Sequence, residues 1–163
     1  MDSSAELFIS GEELLPFLRE RLAAGQTVRY LPFRGVSMLP MLRQGIDAVE
    51  LAPLPERLEK YDLPVYQYPG GKVVMHRVVR VNEDHYICRG DNTYRDERIT
   101  EDMLIGKVTA FKRGQKRIEV MDPSYQSYAR IWVAIYPVRR LLVATKRRLF
   151  AFLRKLGFRR FWR

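Results

Sequence analysis

The middle of the chain is a succession of short segments rich in valine, isoleucine, tyrosine and phenylalanine, each bounded by turn residues. Segments of this length and composition, separated by Gly, Pro and Asn-Asp turns, are typical of antiparallel β-strands. The pattern predicts strands at residues 27–33, 48–51, 64–68, 72–81, 85–89, 104–112 and 117–121. The sequence therefore predicts a mainly β-domain.

A helix is predicted before the first of these strands. Ser10 and Glu13 have the spacing of a capping box, with Ser10 as the N-cap. Leucines follow at helical intervals, which favours a helix from about residue 11 to 24. Gly25 is the residue type expected at its C-terminal end.

The C-terminal part of the chain has the pattern of a basic amphipathic helix. From Ser124 onward apolar residues recur at helical spacing, and Pro137 is expected to kink the helix or divide it in two. The last 41 residues contain 11 Lys and Arg and no acidic residue. Among these cations lie aromatic residues, as in helices at a lipid interface: Trp132, Tyr136, Phe158, Phe161 and Trp162.

Composition excludes several classes of protein. Hydrophobic residues make up 47% of the 163-residue chain, which indicates a globular rather than a disordered protein. Its one cysteine, Cys88, allows neither an intramolecular disulfide nor a cysteine-rich metal site. No secretory signal is recognisable, and no apolar run approaches the ~18 residues of a membrane span. The predicted organisation is an N-terminal helix at 1–26, a β-domain at 27–122 and a basic helical tail at 123–163.

Ser37 lies in an apolar segment framed by glycine and proline. Gly35 allows the backbone to bend close to a ligand, and Pro40 fixes the turn after the serine. Such a segment can present a serine hydroxyl on a rigid corner. The alternative is a strand-to-turn junction with an incidental serine.

His76 lies in the predicted strand at 72–81. Because alternate residues of a strand share a face, His76 should point to the same side as Val74 and Val78. Arg77 should point to the opposite side. A histidine on such an apolar face is either a core imidazole with satisfied hydrogen bonds or a catalytic base. His85, the only other histidine, follows a predicted turn and is expected at the surface.

A third segment, Arg89–Asn92, supplies carboxylates. Its Gly-Asp-Asn sequence is a turn signal in its own right. It also has a functional interpretation, in which a carboxylate at a strand end orients an imidazole. Asp91 is the first candidate for that carboxylate, with Asp96 and Glu97 in reserve.

These three segments resemble, in order, motifs of one family. Residues 35–40, Gly-Val-Ser-Met-Leu-Pro, resemble the Gly-x-Ser-Met-x-Pro nucleophile box of the S24/S26 serine peptidases, which include signal peptidase I and self-cleaving repressors. Residues 74–79 resemble the His-Arg box of the archaeal and endoplasmic-reticulum branch, and residues 89–97 its Gly-Asp-Asn box with trailing acids. The resemblance covers about residues 28–112 and implies the β-fold of that superfamily, flanked here by the two helical segments.

The resemblance implies a serine endopeptidase that processes a signal- or leader-peptide type of precursor through Ser37 and His76, without metal or organic cofactor. Asp91 would fix the tautomer of the imidazole. Gly35 and Met38 would position the nucleophile at the oxyanion site. Because Gly35 replaces a serine that some bacterial members use there, the backbone N–H of Ser37 would be the chief oxyanion donor. The sequence departs from the family at Ile46, which is inserted into the usual Gly-Asp turn.

Two other functions remain open. One is an inactive module of the same fold that binds an extended peptide by β-augmentation. The other is a self-cleaving repressor-like switch, which the roughly 30 residues before the nucleophile box disfavour. The expected partners are a precursor peptide or protein and an anionic membrane surface contacted by residues 124–163, rather than nucleic acid. The expected location is cytoplasmic, or peripheral on the cytoplasmic membrane surface.

Overall fold

A computed structural model describes residues 11–30 and 35–155. This part of the chain forms two antiparallel sheets with helices at both ends, so the predicted mainly β architecture with an N-terminal helix is confirmed. The elements are α1 (Gly11–Ala23), β1 (Val28–Tyr30), β2 (Ala48–Ala52), β3 (Pro64–Gln67), β4 (Val73–Met75), β5 (Arg77–Val81), β6 (Tyr86–Arg89), β7 (Glu97–Ile99), a 3₁₀ turn (Glu101–Met103), β8 (Leu104–Arg113), β9 (Lys116–Glu119), α2 (Pro123–Ala134) and α3 (Tyr136–Lys155).

The first helix ends as predicted. Its last residue is Ala23, and Gly25 follows with a φ of 75°, in the left-handed region that glycine adopts most readily. Leu18 and Leu22 of this helix are buried in the core. Ser10, the predicted N-cap, lies outside the described residues, as does the end of the strand predicted at 27–33.

The larger sheet has the strand order β1-β2-β8-β3-β4, with β9 also paired to β8. Its central strand, β8, is ten residues long and pairs with β2, β3 and β9. Buried aliphatic side chains of this sheet, such as Val49 and Val108, pack against α1 and against Met38 and Met41. This core therefore also anchors the segment that follows Ser37.

The smaller sheet consists of β5, β6 and β7 and has a second core. The chain passes from the larger to the smaller sheet at His76, the single residue between β4 and β5. The predicted alternation is present: Val74 and Val78 lie in the second core, whereas Met75 lies in the first. The strand predicted at 72–81 is thus two strands of different sheets, and His76 lies at their junction.

The C-terminal segment is divided into two helices close to Pro137, as the sequence predicts. Asp122 caps α2 by accepting a hydrogen bond from the N–H of Ser124 at 2.8 Å. The helix breaks at Ile135, and Pro137 lies in the first turn of α3, where a missing N–H is tolerated. Tyr125 and Ala129 of α2 belong to the first core. The start of the segment predicted as a tail is therefore packed against the β-domain.

Candidate active site

Ser37 lies half-buried on the loop between β1 and β2. Before it, Gly35 has a φ of 141°, which residues with a side chain rarely adopt, and its N–H donates to Oε1 of Gln44 at 3.1 Å. After it, Met38 and Met41 are buried. The serine is therefore held between a constrained glycine and a buried anchor, and Met38 acts through packing.

A buried carboxylate fixes the far end of the same loop. Asp47 is fully buried and accepts hydrogen bonds from the backbone N–H and the guanidinium of Arg43 at 2.7–3.0 Å. Burial opposes ionisation, but these bonds outweigh it and hold the pKa of Asp47 below its usual range. The inserted Ile46 is 63% exposed, so it is accommodated without disturbing this anchor.

His76 is buried, and its Nδ1 lies 2.6 Å from Oε2 of Glu97. The hydroxyl of Tyr66 donates to the same Oε2 and lies 3.1 Å from Nδ1. An ionised carboxylate only accepts hydrogen bonds, so Nδ1 must carry a proton. In the neutral ring Nε2 then keeps its lone pair, which is the arrangement of a general base.

The surroundings of Glu97 favour its ionised form. Burial opposes ionisation, but hydrogen bonds from His76 and Tyr66 outweigh it and hold the pKa of Glu97 below its usual range. Burial and the bond to Glu97 raise the pKa of the Tyr66 hydroxyl well above its usual range. Tyr66 therefore remains a donor, and the carboxylate remains available to Nδ1.

Gly90 is the point where the serine and the histidine meet. A Cβ at Gly90 would lie 2.8 Å from the carbonyl oxygen of Ser37 and 2.9 Å from Cδ2 and Nε2 of His76. A side chain is excluded here because backbone atoms and a ring occupy its place. Among the described residues, the Ser37 hydroxyl included, no group hydrogen bonds to Nε2. The Ser37 backbone and this free nitrogen are neighbours across Gly90.

Asp91 contacts Arg77, so the prediction that it orients the imidazole is wrong. Its Oδ1 accepts from Nε of Arg77 at 2.9 Å, and its Oδ2 accepts from Nη2 at 2.7 Å. Both side chains are buried. Arg77 follows His76 in extended backbone and points to the opposite side. A carboxylate bound to that arginine is therefore turned away from the imidazole, whose carboxylate is the reserve candidate Glu97.

The remaining predicted residues lie away from the imidazole. Asp96 has an exposed side chain and pairs with Nε of Arg89 at 2.5 Å. His85 lies at the turn between β5 and β6, where its Nδ1 is 2.6 Å from Oδ1 of Asp84. The surface position predicted for His85 is consistent with a side chain that is 20% exposed.

The C-terminal helices pack against the site loop, residues 90–92. Nε1 of Trp132 donates to the carbonyl oxygen of Asp91 at 2.9 Å, and Nη2 of Arg139 donates to the same oxygen. The guanidinium of Arg139 lies 3.8 Å from the centroid of the Trp132 ring. These helices are therefore part of the site's surroundings.

Two of the aromatic residues predicted to lie in lipid face the protein instead. Trp132 bonds to the site loop, and Tyr136 stacks on Tyr94 with the guanidinium of Arg89 at 3.4 Å from its ring centroid. The two C-terminal helices therefore have two apolar faces, one exposed and one packed against the protein. Trp132 and Tyr136 belong to the packed face. Phe158, Phe161 and Trp162 lie outside the described residues.

Sequence reasoning missed Tyr66 and the role of Arg77. The signal for Arg77 was present, because a histidine and an arginine adjacent in an apolar strand need one partner on each side. The structure supplies a carboxylate to each, Glu97 to His76 and Asp91 to Arg77. Nothing in the sequence indicated that Tyr66 contacts His76, since the residues around it in β3 have the pattern of any buried strand.

The lowered pKa of Glu97 predicts a pH-dependent stability. A carboxyl group whose folded pKa is depressed stabilises the protein above its unfolded pKa, near about 4.3, and this contribution is lost as the pH falls through the folded value. We expect Glu97→Gln to lower the free energy of unfolding by about 1–3 kcal/mol near neutral pH. The deficit should shrink steadily in urea titrations from about pH 5.5 to 3.

Glu83→Gln is the matched control, because Glu83 is an exposed glutamate at the turn between β5 and β6. It should leave stability within about 0.5 kcal/mol of the wild type. A Glu97→Gln deficit that stays constant throughout this pH range would contradict the assigned electrostatic role.

The described residues contain no group of three or more His, Cys, Asp or Glu side chains placed to hold a metal ion. Cys88 is buried in the second core, and burial raises its pKa to about 12, so its thiol stays protonated. The fold brings His76 close to the backbone of Ser37, and these are the two residues that the sequence predicts as base and nucleophile. No protein-family model and no curated protein matches the chain.

Proposed function

We propose that the protein is a serine endopeptidase with Ser37 as nucleophile, His76 as general base and Glu97 as the carboxylate that orients the imidazole. The observation that carries this proposal is the approach of Ser37 and His76 across Gly90, with Nε2 free and Nδ1 bonded to Glu97. An imidazole with a proton on Nδ1 and a lone pair on Nε2 can accept the serine proton, and an ionised Glu97 can hold the ring in that tautomer.

The reaction proceeds through an acyl-enzyme. Oγ of Ser37 attacks the scissile carbonyl carbon while its proton passes to Nε2 of His76. The imidazolium returns this proton to the leaving amine as the C–N bond breaks, and Glu97 stabilises the positive ring. Water then repeats the transfer and releases the acyl group. The contact between Oγ and Nε2 forms with substrate, as catalytic hydrogen bonds often do.

The substrate class follows from the resemblance of the three segments to signal-peptidase-like enzymes of the Ser/His type. These enzymes process signal or leader peptides, and we propose a peptide or protein precursor of that type here. The oxyanion donor is the N–H of Ser37, since Gly35 offers no hydroxyl. A protein of the same fold without turnover would be a peptide-binding module.

The test is covalent labelling of the full chain with a fluorophosphonate, followed by mass spectrometry of the modified peptide. We expect modification of Ser37 in the wild type and none in Ser37→Ala. Ser127→Ala is the control, because Ser127 is an exposed serine whose hydroxyl donates to a helix carbonyl. New protein amino termini that appear in cells only with the wild type would identify the precursor. A folded wild type that neither labels nor cleaves would contradict the peptidase proposal.

We propose that this peptidase works at an anionic membrane surface. Side chains at helical spacing along α2 and α3 point to solvent, with exposures of 60% for Ile131, 60% for Val138 and 64% for Leu142. The last 41 residues, with 11 cations and no acid, complement anionic headgroups. None of the helices in residues 11–30 and 35–155 is long and apolar enough to cross a bilayer.

Removing the apolar part of this surface should release the protein from vesicles. We expect Val138→Ser with Leu142→Ser to weaken binding to phosphatidylserine-containing vesicles, measured by sedimentation, about 30- to 1000-fold, because each side chain loses burial worth about 1–2 kcal/mol. The control, Ile46→Ser with Met121→Ser, removes two exposed apolar side chains elsewhere. Equal losses in the two double variants, or equal binding to uncharged vesicles, would contradict the docking face.

A further inference from the structure

The peptide unit between Asp91 and Asn92 joins the C-terminal helices to the nucleophile. Its carbonyl oxygen accepts hydrogen bonds from Nε1 of Trp132 and Nη2 of Arg139. Its N–H, on the next residue, donates to the carbonyl oxygen of Ser37 at 2.7 Å. A peptide unit is planar and rigid, so a constraint on its oxygen fixes the direction of its N–H.

Asn92 holds the backbone on both sides of Ser37. Its N–H binds the carbonyl that follows the Ser37 Cα, and its Nδ2 donates to the carbonyl of Val36 at 3.1 Å. The Val36 carbonyl and the Ser37 N–H belong to one peptide unit. Asn92 therefore orients the N–H group that the proposed function uses as oxyanion donor.

The helix side of this arrangement is strong. Arg139 is charged, and a charge-assisted hydrogen bond is roughly twice as strong as a neutral one. Its guanidinium stacks on the Trp132 ring, so the two donors hold each other in place. Donors on a carbonyl also polarise its peptide unit and strengthen the N–H at the other end.

We propose that Trp132 and Arg139 are positioning residues of the active site, acting through the Asp91–Asn92 peptide unit on the backbone around Ser37. This inference rests on the proposed function. Neither side chain touches the substrate's reacting atoms. Their loss shifts the oxyanion donor relative to the attacked carbonyl, and misplacement of about 1 Å can lower a rate about 100-fold.

The experiment measures acylation of Ser37 by a fluorophosphonate over a range of reagent concentrations, in full-length Trp132→Phe, Arg139→Gln and the double variant. Phenylalanine keeps an aromatic ring under Arg139 but removes the N–H donor. Arg140→Gln is the matched control, since it removes one charge from an exposed neighbour on the same helix. Arg139→Lys restores a donor. The ¹H–¹⁵N amide resonances of Asn92 and Ser37 are recorded for each variant.

We expect the double variant to lower the maximal acylation rate roughly 30- to 100-fold, with the half-saturating concentration changed less than about threefold. Arg139→Lys should be acylated faster than Arg139→Gln, because the lysine ammonium is again a donor. Arg140→Gln should be acylated at the wild-type rate. The Asn92 amide resonance should move in Trp132→Phe, in Arg139→Gln and most in the double variant, and should stay in place in Arg140→Gln. A double variant with wild-type rate and resonances overturns the inference.

Failure of the proposed function gives a different result. If the wild type is not acylated, the peptidase proposal fails, and the two amide resonances still decide whether the helices position this backbone. If the double variant does not fold, the Asn92 and Ser37 amide resonances of the Trp132→Phe variant test whether the helices position this backbone. Unchanged Asn92 and Ser37 amides in that variant would overturn the inference.

Discussion

Replacing His76 with alanine is expected to lower the rate of Ser37 acylation by about 10⁴-fold or more, while the protein stays folded. A serine hydroxyl is a weak nucleophile near neutral pH and depends on a base to remove its proton. The base that we propose is Nε2 of His76, which is buried beside the Ser37 backbone and has no hydrogen-bond partner among the described residues. The loss should appear in the maximal rate rather than in reagent binding.

The chain supplies its own control for this experiment. His85 is the other histidine, and its ring nitrogens are bonded to Asn82 and Asp84 at a surface turn. His85→Ala should acylate at the wild-type rate. Stopped-flow or mass-spectrometric labelling measures both variants. Wild-type acylation by a folded His76→Ala variant would remove His76 from the mechanism.

The mainly β architecture, the face on which His76 lies and the constrained turn around Ser37 could be predicted from the sequence because they depend on local patterns. Strand alternation placed His76 with Val74 and Val78, and the glycine and proline around Ser37 indicated a rigid corner. The helical periodicity and Pro137 predicted the division of the C-terminal helices. Each of these signals lies within a few residues of the feature that it predicts.

The choice of carboxylate was not accessible because it depends on long-range pairing. Glu97 begins β7, a three-residue strand too short to give a periodic signal. It reaches the site because β7 pairs with β6, which places Glu97 opposite Cys88. Asp91 is the aspartate of the Gly-Asp-Asn segment, but in the structure it binds Arg77. The register of the smaller sheet decides that Glu97, and not Asp91, lies beside His76.

The two faces of the C-terminal helices show the same limit. Periodicity identified an apolar stripe, and Val138 and Leu142 are exposed on it. It did not show that Trp132 and Tyr136 form a second, packed stripe, because that depends on the position of the site loop. A helix with contacts on one face and exposed apolar residues on the other can serve both the site and a surface.

Breaking the buried ion pair between Arg77 and Asp91 is expected to give a large loss of stability. Burial opposes the charge of Arg77, but its bonds to Asp91 outweigh this and raise the pKa of the guanidinium. Arg77→Met would leave a buried carboxylate without its main partner, and should lower the free energy of unfolding by about 3–5 kcal/mol in urea titrations.

Two further variants distinguish the contribution of the Arg77–Asp91 ion pair from the effect of removing any arginine charge. Arg98→Met removes an arginine that pairs with Asp84 at 2.7 Å with both side chains more than 60% exposed, and should lower stability by less than about 1 kcal/mol. Arg77→Met combined with Asp91→Leu leaves neither charge buried alone, so it should regain part of the stability lost in the single variant. A double variant less stable than the single one would mean that Asp91 contributes chiefly through Tyr128, whose hydroxyl also donates to it at 3.3 Å.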